Sequence, residues 1–216
     1  MLDSVPTPRT AHAPWRAVLL LSVFASTSRA QTIEITPVAG YRIGGGNVNT
    51  NAQGEFEPGD GFELDDSFSF GLDLAWLLTD AQLELIYARQ DTRRREDEVG
   101  SIPTHDLAIE TWQVGATWSF RDEHARVRPL VGAAIGLTRL LPDAPALSDE
   151  THFSFSLGVG ARARLTDSVG LRLESRWFAA VLGSGDDQYS GPGAMGPGTS
   201  QLLSQLDLRA GLSLRF

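Results

Sequence analysis

The sequence predicts an all-β fold: an eight-stranded antiparallel up-and-down transmembrane β-barrel. Three observations carry that prediction. Beyond residue 31, apolar side chains recur at every second position in eight runs, and helical spacing is hard to find. The connections between runs alternate short and long, the rhythm of a closed meander. The polar face of the runs is mostly Gly, Ser, Ala and Thr with isolated Arg, Glu and Asp, whereas a face in water would carry long charged side chains.

Residues 1–30 stand apart. Arg9 and Arg16 precede a short apolar run over 17–25, and Ser28-Arg29-Ala30 offers small residues to a signal peptidase. The run is about half the roughly 20 residues a spanning helix needs. A secretory signal cleaved before Gln31 is expected, which leaves 31–216 as one barrel domain.

The runs follow in order. The first sets Ile33, Ile35, Ala39, Tyr41 and Ile43 on one face and Glu34, Thr36, Gly40 and Arg42 on the other. The second alternates Phe68, Phe70, Leu72, Leu74, Trp76 and Leu78 with Ser67, Ser69, Gly71, Asp73 and Ala75. In the third, Leu83, Leu85 and Tyr87 oppose Glu84, Ile86 and Ala88. The fourth ends on Trp112, Val114, Ala116, Trp118 and Phe120, but Leu107 and Ile109 at its start fall in the opposite phase. That break predicts either a bulge near Glu110, Thr111 and Trp112 or a short aqueous extension above the membrane.

The fifth run carries Val127, Pro129, Val131, Ala133, Ile135 and Leu137, with proline near the start where a missing donor is tolerable. The sixth and seventh place Phe153, Phe155, Leu157 and Val159, then Val169, Leu171, Leu173 and Trp177, opposite faces that hold Arg162 and Arg164, then Arg172, Glu174 and Arg176. The eighth sets Leu206, Leu208, Leu212, Leu214 and Phe216 opposite Gln205, Asp207, Arg209 and Arg215.

Charge decides which face meets lipid. An arginine facing lipid at mid-depth costs roughly 2–4 kcal/mol, so Arg162, Arg172 and Arg176 belong inside. The predicted interior holds an ionic ladder of Arg42, Asp73, Glu84, Arg162, Arg172, Glu174, Arg176, Asp207 and Arg209, with Glu34 as a further acceptor. All 18 basic residues are arginine, whose fork meets carboxylates bidentately. Interfacial rings agree with this orientation. With the N-terminus inside, Tyr41, Phe68, Phe70, Tyr87, Phe153, Phe155 and Trp177 group at the outer interface, and Trp76, Trp118, Phe120 and Phe216 at the inner one. Tyr41, Trp76, Trp118 and Trp177 are the expected girdle.

GVGARARLTDSVGLRLESRWF resembles the closing hairpin of the outer-membrane β-barrel domain family, relatives of opacity proteins and of the membrane domain of outer-membrane protein A. The resemblance lies in Gly158, Gly160, the turn Leu165-Thr166-Asp167, and Leu171, Arg172 and Glu174. Residues 127–136 resemble the family's fifth strand. LRAGLSLRF resembles the terminal signal read by the barrel-assembly machinery, with Phe216 as its last residue. The resemblance implies architecture, export to the cell outer membrane, and contact with outer-membrane lipid and lipopolysaccharide. It implies no activity.

Other constellations weigh less. His152-Phe153-Ser154 is similar to the His-x-Ser of lipid A deacylases, but parity turns both residues inward and the next glutamate, Glu174, is one strand on. No catalytic residue, metal ligand or cofactor is expected. Gly158 to Ala163 approximates a dinucleotide fingerprint inside a strand and opens no helix. Arg93-Arg94-Arg95 before Glu96-Asp97-Glu98 reads as a self-neutralising loop that could meet lipopolysaccharide phosphates. Glu55, Glu57, Asp60, Glu63, Asp65 and Asp66 make an acidic first loop without the spacing of an EF-hand. His105 and His124 fall on opposite rims. A net charge of −9 argues against nucleic acid, and the absence of cysteine excludes disulfides, a zinc cluster and a lipoprotein anchor.

The expected role is structural or surface-interacting, a monomer that presents four outer loops on a plugged polar lumen. A narrow channel or conduit for small hydrophobic molecules is the first rival, and a lipid-modifying enzyme the second.

Overall fold

A computed structural model describes residues 33–50, 56–58, 63–78, 81–94, 105–120, 125–143, 148–182 and 201–216. The predicted signal segment 1–30, Glu55, Asp60, His124, residues 95–98 and the glycine-rich stretch 191–198 lie outside them. Among the described residues the regular elements are strands: β1 (Ile33–Thr50), β2 (Phe56–Pro58), β3 (Ser67–Leu77), β4 (Ala81–Arg94), β5 (His105–Ser119), β6 (Val127–Pro142), β7 (Glu150–Arg164), β8 (Val169–Leu182) and β9 (Gln201–Arg215).

β1 and β3 to β9 form the eight-stranded barrel. Each pairs antiparallel with the next, and β1 pairs with β9 to close the sheet; β2 adds three residues to the rim of β1. Closure leaves no edge of unpaired backbone in the barrel wall, the condition for crossing hydrocarbon with strands. The stagger is read from the pairing itself. Followed from Glu34 through Ala75, Glu84, Gly115, Ala134, Ser156, Phe178 and Gln205, it returns to β1 between Ile43 and Gly46, a full level higher than it began. Strands so staggered must tilt, and an eight-stranded tilted barrel is just wide enough for side chains to fill.

The inner turn at 165–168 shows how local chemistry sets these short connections. Thr166 Oγ1 accepts from the amides of Val169 at 3.0 Å and Ser168 at 3.3 Å, while the amides of Leu165 and Thr166 both donate to Val169 O at 3.0 Å. The chain ends here too. Phe216 is exposed on the outward face, and its amide donates to Ile33 O at 3.0 Å across the closing seam.

The phase break in β5 has a definite cause. Its pairing with both β4 and β6 runs without a shift from Leu107 to Trp118, so there is no bulge at Glu110 to Trp112. Leu107, Ile109, Thr111 and Gln113 all face inward and are buried. What changes along the strand is the polarity outside. Below Trp112 the outward face is apolar; above it stand Glu110 and Asp106, with Arg89, Asp91 and Arg93 on β4 and Arg139 on β6. Charged groups at these positions cannot lie in hydrocarbon, so the barrel extends beyond the membrane as a collar. In the collar the interior has an apolar cluster, in which Leu107, Ile109, Leu140, Ala180, Leu182 and Leu203 pack together with Leu64, beside buried Thr92, Thr111, Thr138 and His152.

The bulge that does exist is on β1. Its register against β9 shifts between Ile43 and Gly46, where Gly44 and Gly45 have φ of 77° and 147°. Those angles favour glycine, and space demands it as well, since a Cβ on Gly45 would sit 2.6 Å from the Cβ of Leu64. Leu64 N donates to Gly45 O at 3.1 Å, Gly44 N to Asp66 Oδ1 at 2.9 Å, and Asp65 N to Arg93 O at 2.9 Å. Asp65 and Asp66, expected as acidic loop, thus stitch the end of the first loop into the mouth together with Leu64, which lies over the apolar cluster.

Candidate functional site in the barrel lumen

Inward parity brings carboxylates from the first strands and guanidinium groups from the last strands into one space. Glu174 on β8 is the hub. It accepts from Arg172 Nε at 2.8 Å, Arg176 Nε at 2.8 Å and Arg209 Nη2 at 3.1 Å. Arg172 then reaches across the lumen to Glu84 on β4, with Nη1 donating to Oε1 at 2.6 Å and Nη2 to Oε2 at 3.3 Å. Arg209 on β9 grips Asp73 on β3 in the same two-pronged way, at 2.9 and 3.4 Å.

Polar neighbours complete the set. Thr117 Oγ1 donates to Glu84 Oε2 at 2.8 Å, Arg176 Nη1 to Ser156 Oγ at 2.9 Å, and Ser156 Oγ to Gln113 Oε1 at 2.6 Å. Gln113 Nε2 returns a bond to Ser154 Oγ at 3.1 Å. Three carboxylates and three guanidiniums thereby neutralise one another where each alone would cost several kcal/mol to bury. Glycine makes the room: a Cβ on Gly158 would land on the Glu174 carboxylate.

Two smaller groups flank this centre. At the inner end Glu34 pairs with Arg162, which also donates to Gln82 Oε1 at 3.0 Å, and with Arg215 at 3.3 Å. Toward the outer end Arg42 pairs with Asp207 at 3.2 Å, and Ser69 Oγ donates to the same carboxylate at 2.9 Å. The Arg42 guanidinium lies 4.5 Å from the ring centre of Phe178, a cation over an aromatic face. Above it Gln205 Nε2 donates to Gln90 Oε1 and Gln90 Nε2 to Ser67 Oγ, both at 2.9 Å. The lumen is therefore layered from ions through amides to the apolar cluster.

Residues 17–216 match the family described as the outer membrane protein beta-barrel domain. The chain belongs to that family. This outer-membrane barrel is also similar to solved structures. Neisserial surface protein A aligns at 16% identity and a TM-score of 0.54, over 87% of this chain and all of that one. The outer membrane protein OprG of Pseudomonas aeruginosa aligns at 12% identity and a TM-score of 0.53, over 86% of this chain and 95% of that one. These likenesses are of fold. No curated protein sequence matches the chain.

On the outside of the outer-membrane barrel, rings line up at two levels. Tyr41 meets Phe68 edge-on with centroids 5.4 Å apart, Tyr87 leans on Trp112 at 4.5 Å, and Phe155 meets Trp177 edge-on at 5.5 Å. Trp177 also donates its indole N–H to Ser204 Oγ at 2.7 Å. Trp76 and Trp118 are exposed toward the opposite end.

His152 and Ser154 are both buried in the lumen. The carboxylate that meets His152 is Glu150, two residues upstream at 3.1 Å, and Ser154 is engaged by Gln113 rather than by the imidazole. Of the Arg93-Arg94-Arg95 run, Arg93 Nε donates to Asp106 Oδ1 at 3.0 Å on the collar's outer face. The predicted ladder residues are all inside, but as one centre with two flanking pairs. Gln82, Gln90, Gln113, Thr117, Ser156 and Phe178 were absent from the predicted set, although they share its parity and were legible by the same rule.

Proposed function

We propose that this outer-membrane protein is a sealed, monomeric anchor that holds four outer loops at the cell surface, where they meet partners. The observation that supports the reading is the ionic centre, in which guanidiniums of β8 and β9 cross the lumen to carboxylates of β3 and β4. A permeant solute would have to part those pairs. Planar bilayers containing the purified barrel should show little steady conductance; a stable open channel would reject the anchor.

The conduit for small hydrophobic molecules draws on a different observation, the apolar cluster inside the collar. Vesicles carrying the barrel should then admit an apolar probe faster than empty vesicles do, and Leu64→Ala should raise that rate. Equal rates would exclude it.

Export and assembly belong to the same proposal. N-terminal sequencing of the mature protein should begin at Gln31, and deletion of Phe216 should lower the yield of assembled barrel while leaving synthesis intact. Arg89, Arg93 and Arg139, on the outward face of the collar, are the groups offered to lipopolysaccharide phosphates.

A further inference from the structure

We propose that the inner mouth of the barrel binds one small monovalent anion of halide size. The site is a cavity of about 20 Å³ beneath the 165–168 turn, lined among others by Glu34, Arg162, Arg164, Ser168 and Arg215. Three arginines and two carboxylates, Glu34 and Asp167, line it.

The register makes the excess of positive charge worse. Arg128 lies directly opposite Arg162 across β6 and β7, and Arg162 directly opposite Arg172 across β7 and β8. Like charges facing each other on adjacent strands repel. Arg172 is answered by Glu84 and Glu174, but Arg162 must share Glu34 with Arg215. Arg162 is 4% exposed, and its Nε and Nη1 have no hydrogen-bond partner among the described residues; the same holds for Nε of Arg128 and of Arg215.

Buried donors without acceptors are costly. Water would supply lone pairs but leave the charge; an anion supplies both. About 10–15 Å³ admits one water, so this cavity suits a single small ion and excludes sugars or nucleotides. The inference concerns the inner mouth and is independent of whether the lumen conducts.

The test uses the full barrel in detergent micelles, with chloride replacing gluconate at constant ionic strength. A ligand of the folded state raises the unfolding midpoint in a saturable way, here by about 2–4 °C. Crystals grown in bromide should show one anomalous peak beside Arg162 and Arg164. Arg164→Gln, outside the ionic centre, should hold or raise the midpoint in gluconate, by relieving like-charge repulsion, and weaken the apparent chloride affinity about tenfold, one charge-assisted contact. Equal midpoints in chloride and gluconate with no bromide peak would mean that water fills the cavity and would overturn the proposal. A larger saturable rise with phosphate or acetate would overturn the halide-sized assignment, and an unchanged chloride response in Arg164→Gln would overturn the location.

Discussion

The two ends of β5 obey opposite rules. From Trp112 to Trp118 the strand shows apolar side chains to the outside and Gln113, Gly115 and Thr117 to the inside; from Asp106 to Glu110 it shows charge outside and Leu107 and Ile109 inside. Backbone, register and parity are unbroken between them. The side of the wall that must be apolar is set by what lies beyond it. Within lipid the outside is apolar and the inside must satisfy its own charges, whereas above lipid the same wall buries a hydrophobic core as a soluble protein does. One strand therefore carries two folding principles, ionic and hydrophobic, stacked end to end.

Substitutions at matched positions can break or sharpen that contrast. The largest loss should come from Glu174→Ala, which leaves three buried guanidiniums without their common carboxylate. About 3–5 kcal/mol is expected in urea unfolding of the purified barrel, and a loss below about 1 kcal/mol would show that the centre is not what stabilises the embedded half. Leu140→Ala, in the collar, should follow at about 2–5 kcal/mol through the cavity it leaves.

A depth comparison on one face of β5 comes next. Val114→Arg should cost about 2–4 kcal/mol, and Ala108→Arg, two turns of the pleat above the rings, no more than about 0.5 kcal/mol. Equal costs would place the membrane boundary elsewhere. Gly45→Ala should cost about 1–3 kcal/mol by straining the bulge and displacing Leu64, and protease sensitivity of the first loop should rise with it. A similarly small effect is expected for Arg93→Ala, since an exposed ion pair such as Arg93–Asp106 contributes about 0.2–1 kcal/mol.

Parity and charge made most of this architecture legible in the sequence. The period of two marks the eight barrel strands, and the prohibitive cost of arginine in lipid marks the inside, so Arg162, Arg172, Arg176 and Glu174 are assigned to the lumen by the sequence alone. Their partners are not. Which carboxylate meets Arg172 depends on stagger around the barrel, and stagger is a property of closure that no single strand encodes. Leu64 was hidden for a related reason: its burial comes from the Gly44 and Gly45 bulge, and a glycine triplet reads as an ordinary flexible stretch until β9 fixes its register. In β5 the residues carried the signal, since a phase change is what an extension above the membrane must look like; the alternative of a bulge fell only when both neighbouring strands proved continuous.

The ionic centre also has a direction in time. Two of its three carboxylates, Asp73 and Glu84, like Glu34 beside them, come from strands near the N-terminus, whereas Arg162, Arg172, Arg176, Arg209 and Arg215, with the third carboxylate Glu174, come from β7, β8 and β9. Taken alone, the early part of the sheet has a net anionic inner surface and the late part a net cationic one. A half-inserted sheet would therefore carry a net excess of one sign that must stay hydrated, and insertion becomes more favourable as the last strands swing round to meet the first. The two parts attract each other across the gap that remains. Full neutralisation of the contents then waits on closure of the wall, a latch that a partly built barrel can engage only in part.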